Sequence, residues 1–525
     1  MTHTNRTILQ LALCSALLLI AGQSSGGNVH LETLGEYYDL AVSGNYESAA
    51  DMWLECDQER ASRFGINFIG VPIKIDCTSP IIRNLAVMRD HLHSPANHVA
   101  RLASHDYYRL DFSRLVNNSL VEHSYYMYFD NSYYWLSFPQ DFFCRDWPVD
   151  SSRYLRINTH PTVGKYLNSV VLYEADRFIE ETATLLNIEA SMLDTIADRK
   201  IEYFFCESDQ RIEEICGHRV KGLLDLPSND IISSFFPHNH EIVHLLVNIK
   251  LRQLPLFTQP LLREGLAVHL GGRWAKAPAA LSGLGAFLLR EKMVSLDSLL
   301  TYSGFNSAAG PDIAYPVAGL FSSFLIDRVG IDTFLTLYRQ LSGSEAEVEA
   351  MTAEEVKTAI GAVTELEWSA LLDEFATFID RTLTEDASFL PGSVRQAELL
   401  IEGAGFSISN DADWLVFEFP YNNDTPPIGS FAFGYDARLV GAGSLLFEEQ
   451  HGRQTPFDGY RFAIQFDGNE AGLYDYATNH LVGKHIQSLT PSPEYLDGEV
   501  LRVKVKKTLL GESALVFDKH KLRHR

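Results

Sequence analysis

FFPHNHEIVHLLVN, residues 235–248, packs three histidines and one glutamate into the seven positions 238–244 of an otherwise apolar run. Within it, His240-Glu241-Ile242-Val243-His244 forms an H-E-x-x-H sequence. Positions four apart share one face of a helix, so both imidazoles can reach a single ion, while Glu241 falls on the adjacent flank. From there a carboxylate can take a proton from an activated water without joining the coordination sphere. Two histidines do not complete a catalytic metal site; a third protein ligand is needed, with one position left open. The third candidate is Glu264, twenty positions beyond His244. The intervening RQLPLFTQP, with Pro255 and Pro260, ends the first helix and turns the chain, and LLREGLAVHL begins a second. Two neutral histidines and one glutamate favour Zn²⁺, one per chain, over harder ions that want mostly oxygen. The tripeptide His238-Asn239-His240 also spells H-N-H, but a nuclease of that type needs phosphate-binding cations, and this stretch is apolar.

The rest of the chain sets the bounds. Its 525 residues exceed one ordinary domain, and 46% hydrophobic with 21% charged residues is a globular composition. A formal charge of −25 repels phosphate backbones and anionic lipid, so nucleic acid is not an expected partner. Residues 1–25 read as a signal peptide: Arg6 supplies a positive flank, Ile8 to Gly22 an apolar stretch, and small residues follow. The expected location is therefore secreted or periplasmic, with no stable membrane span. Cys14 sits behind Leu13, where a lipoprotein site would want a small residue. Beyond Cys14 there are five cysteines, which allow at most two disulfides; sequence proximity favours Cys56 with Cys77 and Cys206 with Cys216, leaving Cys144 free.

The texture changes twice along the chain. Residues 28–150 open with LGEYYDLAVSGNYESAADMWLEC, two helical patterns broken at SGNY like a single tetratricopeptide-type hairpin, and continue into the aromatic-rich, strand-like YYMYFDNSYYWLSFPQDFF. Residues 152–390 alternate strands (RYLRINTHP, IEYFFC) with a long amphipathic helix (VVLYEADRFIEETATLLNI), then turn helical after the motif. Residues 393–525 are short alternating strands split by turns: WLVFEFPY, GSFAFGYD, SLLFEEQ, RFAIQFDG, LRVKVKK and ALVFD. These predict a β-sandwich. Asn117-Asn118-Ser119 and Asn423-Asp424-Thr425 fit glycosylation acceptors.

H-E-I-V-H, nineteen intervening residues and then Glu264 in REGLA together resemble the gluzincin metallopeptidases, the group that contains thermolysin, and more broadly the "peptidase MA-like" proteins. The resemblance covers roughly residues 152–385. It implies a gluzincin-like zinc peptidase domain there; the texture of the flanking residues, outside the resemblance, completes the expectation of an α+β multidomain protein with an N-terminal helical and aromatic-rich domain and a C-terminal β-sandwich. The resemblance also implies that His240, His244 and Glu264 bind zinc, that Glu241 is the general base, and that Tyr315, in AYPVAGLFSSFLIDRVG, donates a hydrogen bond to the oxyanion. The substrate would be a peptide or protein. Two departures stand out. No G-x-M-E-N aminopeptidase signature is present, and Val268 stands where thermolysin-like enzymes carry an aspartate that orients a histidine. The competing expectation is a zinc-scaffold protein without useful turnover, whose terminal sandwich binds a glycan or a protein.

Overall fold

The computed structural model describes residues 29–385, except 103–105, 131–132, 165–166, 168, 274–277, 291 and 309–310, and, beyond residue 392, the backbone of separate strands. The expected signal peptide with Cys14, and the strand expected at SLLFEEQ, lie outside the described residues. By compactness the chain divides into two units: Met1–Glu55 with Ser79–Ser137, and Cys56–Thr78 with Phe138–Arg525.

In the first unit, helix Val29–Ser43 buries Leu34, Tyr37, Tyr38 and Ala41, one helical stripe. Gly44, at φ 83°, stops it, and the next helix, Tyr46–Ala50, has only five residues, so the expected hairpin has a short second arm. The aromatic-rich stretch forms an antiparallel sheet in the order His98–Arg101, Tyr107–Val116, Ser119–Asp130, Tyr133–Ser137. Its central hairpin turns on Asn117 and Asn118, both left-handed (φ 51° and 64°), the backbone that a two-residue hairpin loop requires. The Tyr125 ring of that sheet packs 5.9 Å from both Tyr37 and Tyr38 of the helix.

The second unit is built on a five-stranded mixed sheet of β1 (Val149–Ser151), β2 (Leu155–Thr159), β3 (Ile201–Phe205), β4 (Gly222–Asp225) and β5 (Asp230–Ser233), in the order β1-β2-β3-β5-β4. All five residues of β3 are buried, as in a strand covered on both faces. β3 runs parallel to β2 and β5, and β4 closes the edge antiparallel to β5. After the sheet come α1 (Asn239–Leu251), α2 (Pro260–Gly271), α3 (Pro278–Arg290) and α4 (Pro311–Val329). Segment 56–78 belongs with this unit for identifiable reasons. Its strand Asn67–Ile69 pairs in parallel with Gln253–Pro255, Arg60 and Arg63 form salt bridges with Asp230, and Lys74 Nζ donates to Leu226 O at 2.5 Å and Pro227 O at 2.7 Å. Residues 56–78 and 138–150, which the sequence groups with the N-terminal region, therefore pack with the second unit.

Beyond residue 392 the described strands form two four-stranded antiparallel sheets. One orders Ser393–Leu399, Gly429–Asp436, Tyr460–Asp467 and Glu470–Asp475; the other orders Ser407–Asp411, Trp414–Tyr421, Glu499–Lys506 and Phe517–Leu522. The expected disulfides do not form: Cys56, Cys77, Cys144, Cys206 and Cys216 are all free thiols. Cys77 is fully buried while Cys56 is exposed, and the Cys216 thiol donates within its own helix, to Ile212 O at 3.0 Å. Among the described residues, no helix is long and apolar enough to cross a membrane.

Candidate metal centre

α1 carries the H-E-x-x-H residues because its opposite side is core: Ile242, Val243, Leu245 and Leu246 are fully buried. Burying such side chains contributes about 1.5–3 kcal/mol each, which locks the helix's rotation. That rotation sets His240 and His244 on one face, their rings 4.8 Å apart. α2 begins at Pro260, pre-set for a first helical position, and Glu264 follows in its second turn. Two close approaches bring the helices together. A Cβ on Gly271 would lie 2.8 Å from Asn239 O, and one on Gly265 would lie 2.5 Å from Ala318 O of α4. Only glycine lets these backbones approach so closely.

The result is a triangle of ligand atoms. His240 Nε2 is 3.1 Å from Glu264 Oε2, His244 Nε2 is 3.5 Å from the same oxygen, and the two Nε2 atoms are 3.2 Å apart. A tetrahedral ion with bonds of about 2.0–2.1 Å has ligand-to-ligand edges of roughly 3.3 Å, so the triangle has the dimensions of one tetrahedral face. The cluster could hold a metal ion. Protonation states fit as well. His240 Nδ1 lies 3.0 Å from Gly272 O, an acceptor only, so Nδ1 carries the proton and Nε2 presents a lone pair. Burial, the largest influence, lowers the His240 pKa and keeps the ring neutral. For Glu264 burial acts upward, but the charge of the Arg263 guanidinium beside it outweighs burial and holds the carboxyl well below its usual range. The His240 Nε2 lone pair and the Glu264 carboxylate oxygen, 3.1 Å apart, suit a cation between them.

Glu241 stands outside the triangle, as the flank position requires. Its Oε2 accepts the Leu224 N–H of edge strand β4 at 3.0 Å, which orients the carboxylate. Tyr315 lies within α4, its ring 6.2 Å from that of His240. Burial, then the charge of Glu264, pushes its phenol upward, so it remains a protonated donor. His238 takes no part in the triangle; it caps the start of α1, buried, with its ring 4.1 Å from Phe235 and Nδ1 3.4 Å from Ser233 Oγ.

Four contributors escape the sequence reading. Gly272 O and Leu224 N–H are backbone groups, which no residue type announces. The other two are arginines: Arg263 Nε donates to Glu264 Oε1 at 2.8 Å, and Arg273 Nη1 lies 3.6 Å from Glu264 Oε2. The group that orients His240 is thus a main-chain carbonyl, Gly272 O, and not a side chain. No protein-family model and no curated protein matches the chain.

Proposed function

We propose that the chain is a secreted zinc metallopeptidase of gluzincin type, with the paired C-terminal sheets forming a β-sandwich accessory domain. The observation that carries the reading is the convergence of His240, His244 and Glu264 on one point, with Glu241 beside it but outside it. Two imidazole nitrogens and one carboxylate oxygen suit zinc, which would be held through His240 Nε2, His244 Nε2 and Glu264 Oε2. When bound, Zn²⁺ supplies Lewis-acid polarisation of a carbonyl and a lowered pKa for water. Glu241 accepts a proton from the attacking water on its carboxylate and passes it to the leaving amine nitrogen. Its Oε2 is held by Leu224 N–H, so the proton is assigned to Oε1. The Tyr315 phenol donates to the carbonyl oxygen as negative charge develops there.

The test pairs metal content with hydrolysis. The wild type and Glu241→Gln should each take up one zinc per chain, and the variant should hydrolyse a peptide library about 10²–10⁴-fold more slowly. His240→Ala with His244→Ala should lose the zinc. A Glu241→Gln protein as active as the parent sinks the mechanism. One zinc per chain without hydrolysis of any peptide favours a binding scaffold instead.

A further inference from the structure

We propose that Arg273 is a carboxylate receptor beside the metal ligands, so that the preferred peptide carries a carboxylate next to the bond to be cut; this rests on the peptidase reading above. The position of Arg273 is tied to the centre through the main chain. It directly follows Gly272, whose carbonyl takes the His240 Nδ1–H at 3.0 Å. The guanidinium carbon lies 3.3 Å from the centroid of the Tyr315 ring, with the planar cation against the aromatic ring, and Nη1 is 3.6 Å from Glu264 Oε2. That second separation is an ion-pair distance, longer than a hydrogen bond. The side chain keeps 24% of its surface accessible, so a ligand seated on the metal face can reach it.

Charge supports the same assignment. The chain as a whole carries −25, yet here Arg263 and Arg273 both flank Glu264, and a divalent ion in the triangle leaves the pocket with an excess of positive charge over Glu241 and Glu264. A second anion is the ligand such a pocket accepts, and a carboxylate matches the two-pronged geometry of a guanidinium. On a peptide that group is either the free α-carboxylate of the chain end or an Asp or Glu side chain. The first makes the activity a carboxypeptidase, the second an endopeptidase with acidic preference.

Binding separates these sources. Zinc-loaded Glu241→Gln protein would be titrated calorimetrically with three matched peptides: one with a free C-terminus, one amidated, and one amidated with an internal Glu. Co²⁺-loaded protein would report the same events through its visible spectrum. One of the two carboxylate peptides should bind at least about tenfold tighter than the plain amide, and Arg273→Ala should reduce the difference to within about twofold. Arg273→Gln checks that the loss is not misfolding, and Arg273→Lys should recover only part of the preference because it keeps charge without the fork. Equal binding of all three peptides, or a preference that survives in Arg273→Ala and Arg273→Gln, overturns the inference while leaving the peptidase reading intact. Failure to take up one metal ion, or to bind any of the peptides, overturns both.

Discussion

At the scale of single residues, the centre depends on orientation as much as identity. His240 turns Nε2 toward His244 and Glu264 because Gly272 O claims the Nδ1 proton, and Glu241 is aimed because Leu224 N–H holds one of its oxygens. The second of these bonds can be removed by one substitution, which also trims the packing of the Leu224 side chain against the core. β4 is the sheet's edge strand, where proline is tolerated, so Leu224→Pro deletes the N–H without touching a ligand. A hydrogen bond to a charged group is worth about 1.5–3 kcal/mol, so its loss should slow hydrolysis about tenfold or more. Zinc should remain at one per chain, since the triangle is untouched. Kinetics beside metal analysis decide it: an unchanged rate means that the carboxylate needs no such support, and lost zinc means that β4 holds the ligands too.

At the scale of elements, close helix packing places Glu264 beside His240 and His244. Gly265 on α2 and Gly319 on α4 face each other's helix: a Cβ on the first would strike Ala318 O, and one on the second would strike Val268. Gly265→Ala should therefore cost about 1–3 kcal/mol and weaken zinc binding, because Glu264 is its neighbour in the chain. Gly35→Ala is the contrasting case. It lies in helix Val29–Ser43 with nothing within 4 Å, so the same substitution should stabilise by about 0.4–1 kcal/mol. Chemical denaturation of both variants gives the two signs; a stabilised Gly265→Ala would mean that α2 and α4 can separate without cost. Much of this level is legible in the sequence. The H-E-x-x-H face, the turn at Pro255 and Pro260, and the strands Leu155–Thr159 and Ile201–Phe205 follow from periodicity and breakers. The rest is not legible because it depends on residues far apart in the chain. Neither the salt bridges from Arg60 and Arg63 to Asp230, which bind segment 56–78 to the sheet, nor the stack of Arg273 on Tyr315 leaves a periodic trace. The cysteines mislead for a related reason: nearness in sequence does not supply the paired Cβ geometry that a bridge demands.

At the scale of the whole molecule, the two compact units should answer to different solution variables, because their charged groups are buried for different reasons. The second unit holds the ligand triangle, so zinc at about 100 times its dissociation constant should stabilise that unit by about 2.7 kcal/mol. The first unit contains no such site among its described residues, but it contains His123, packed 4.6 Å from the Tyr125 ring. Burial, helped by the nearby Arg83 cation, pushes the His123 pKa down from 6.5 to about 4. The sign follows from proton counting. Between these values the unfolded chain binds a proton that the folded chain refuses, so stability is full above pH 6.5 and falls as the pH drops toward 4. His123 is half-buried, so the expected loss is about 1–3 kcal/mol rather than the whole shift. Carboxylates also lose stability in acid, and the informative quantity is therefore a difference between proteins. His123→Phe keeps an aromatic ring against Tyr125 but cannot titrate. Near-ultraviolet circular dichroism melts at pH 7 and 4.5 should show the variant losing less stability than the parent by that amount; equal losses would mean that the folded protein accommodates a protonated His123.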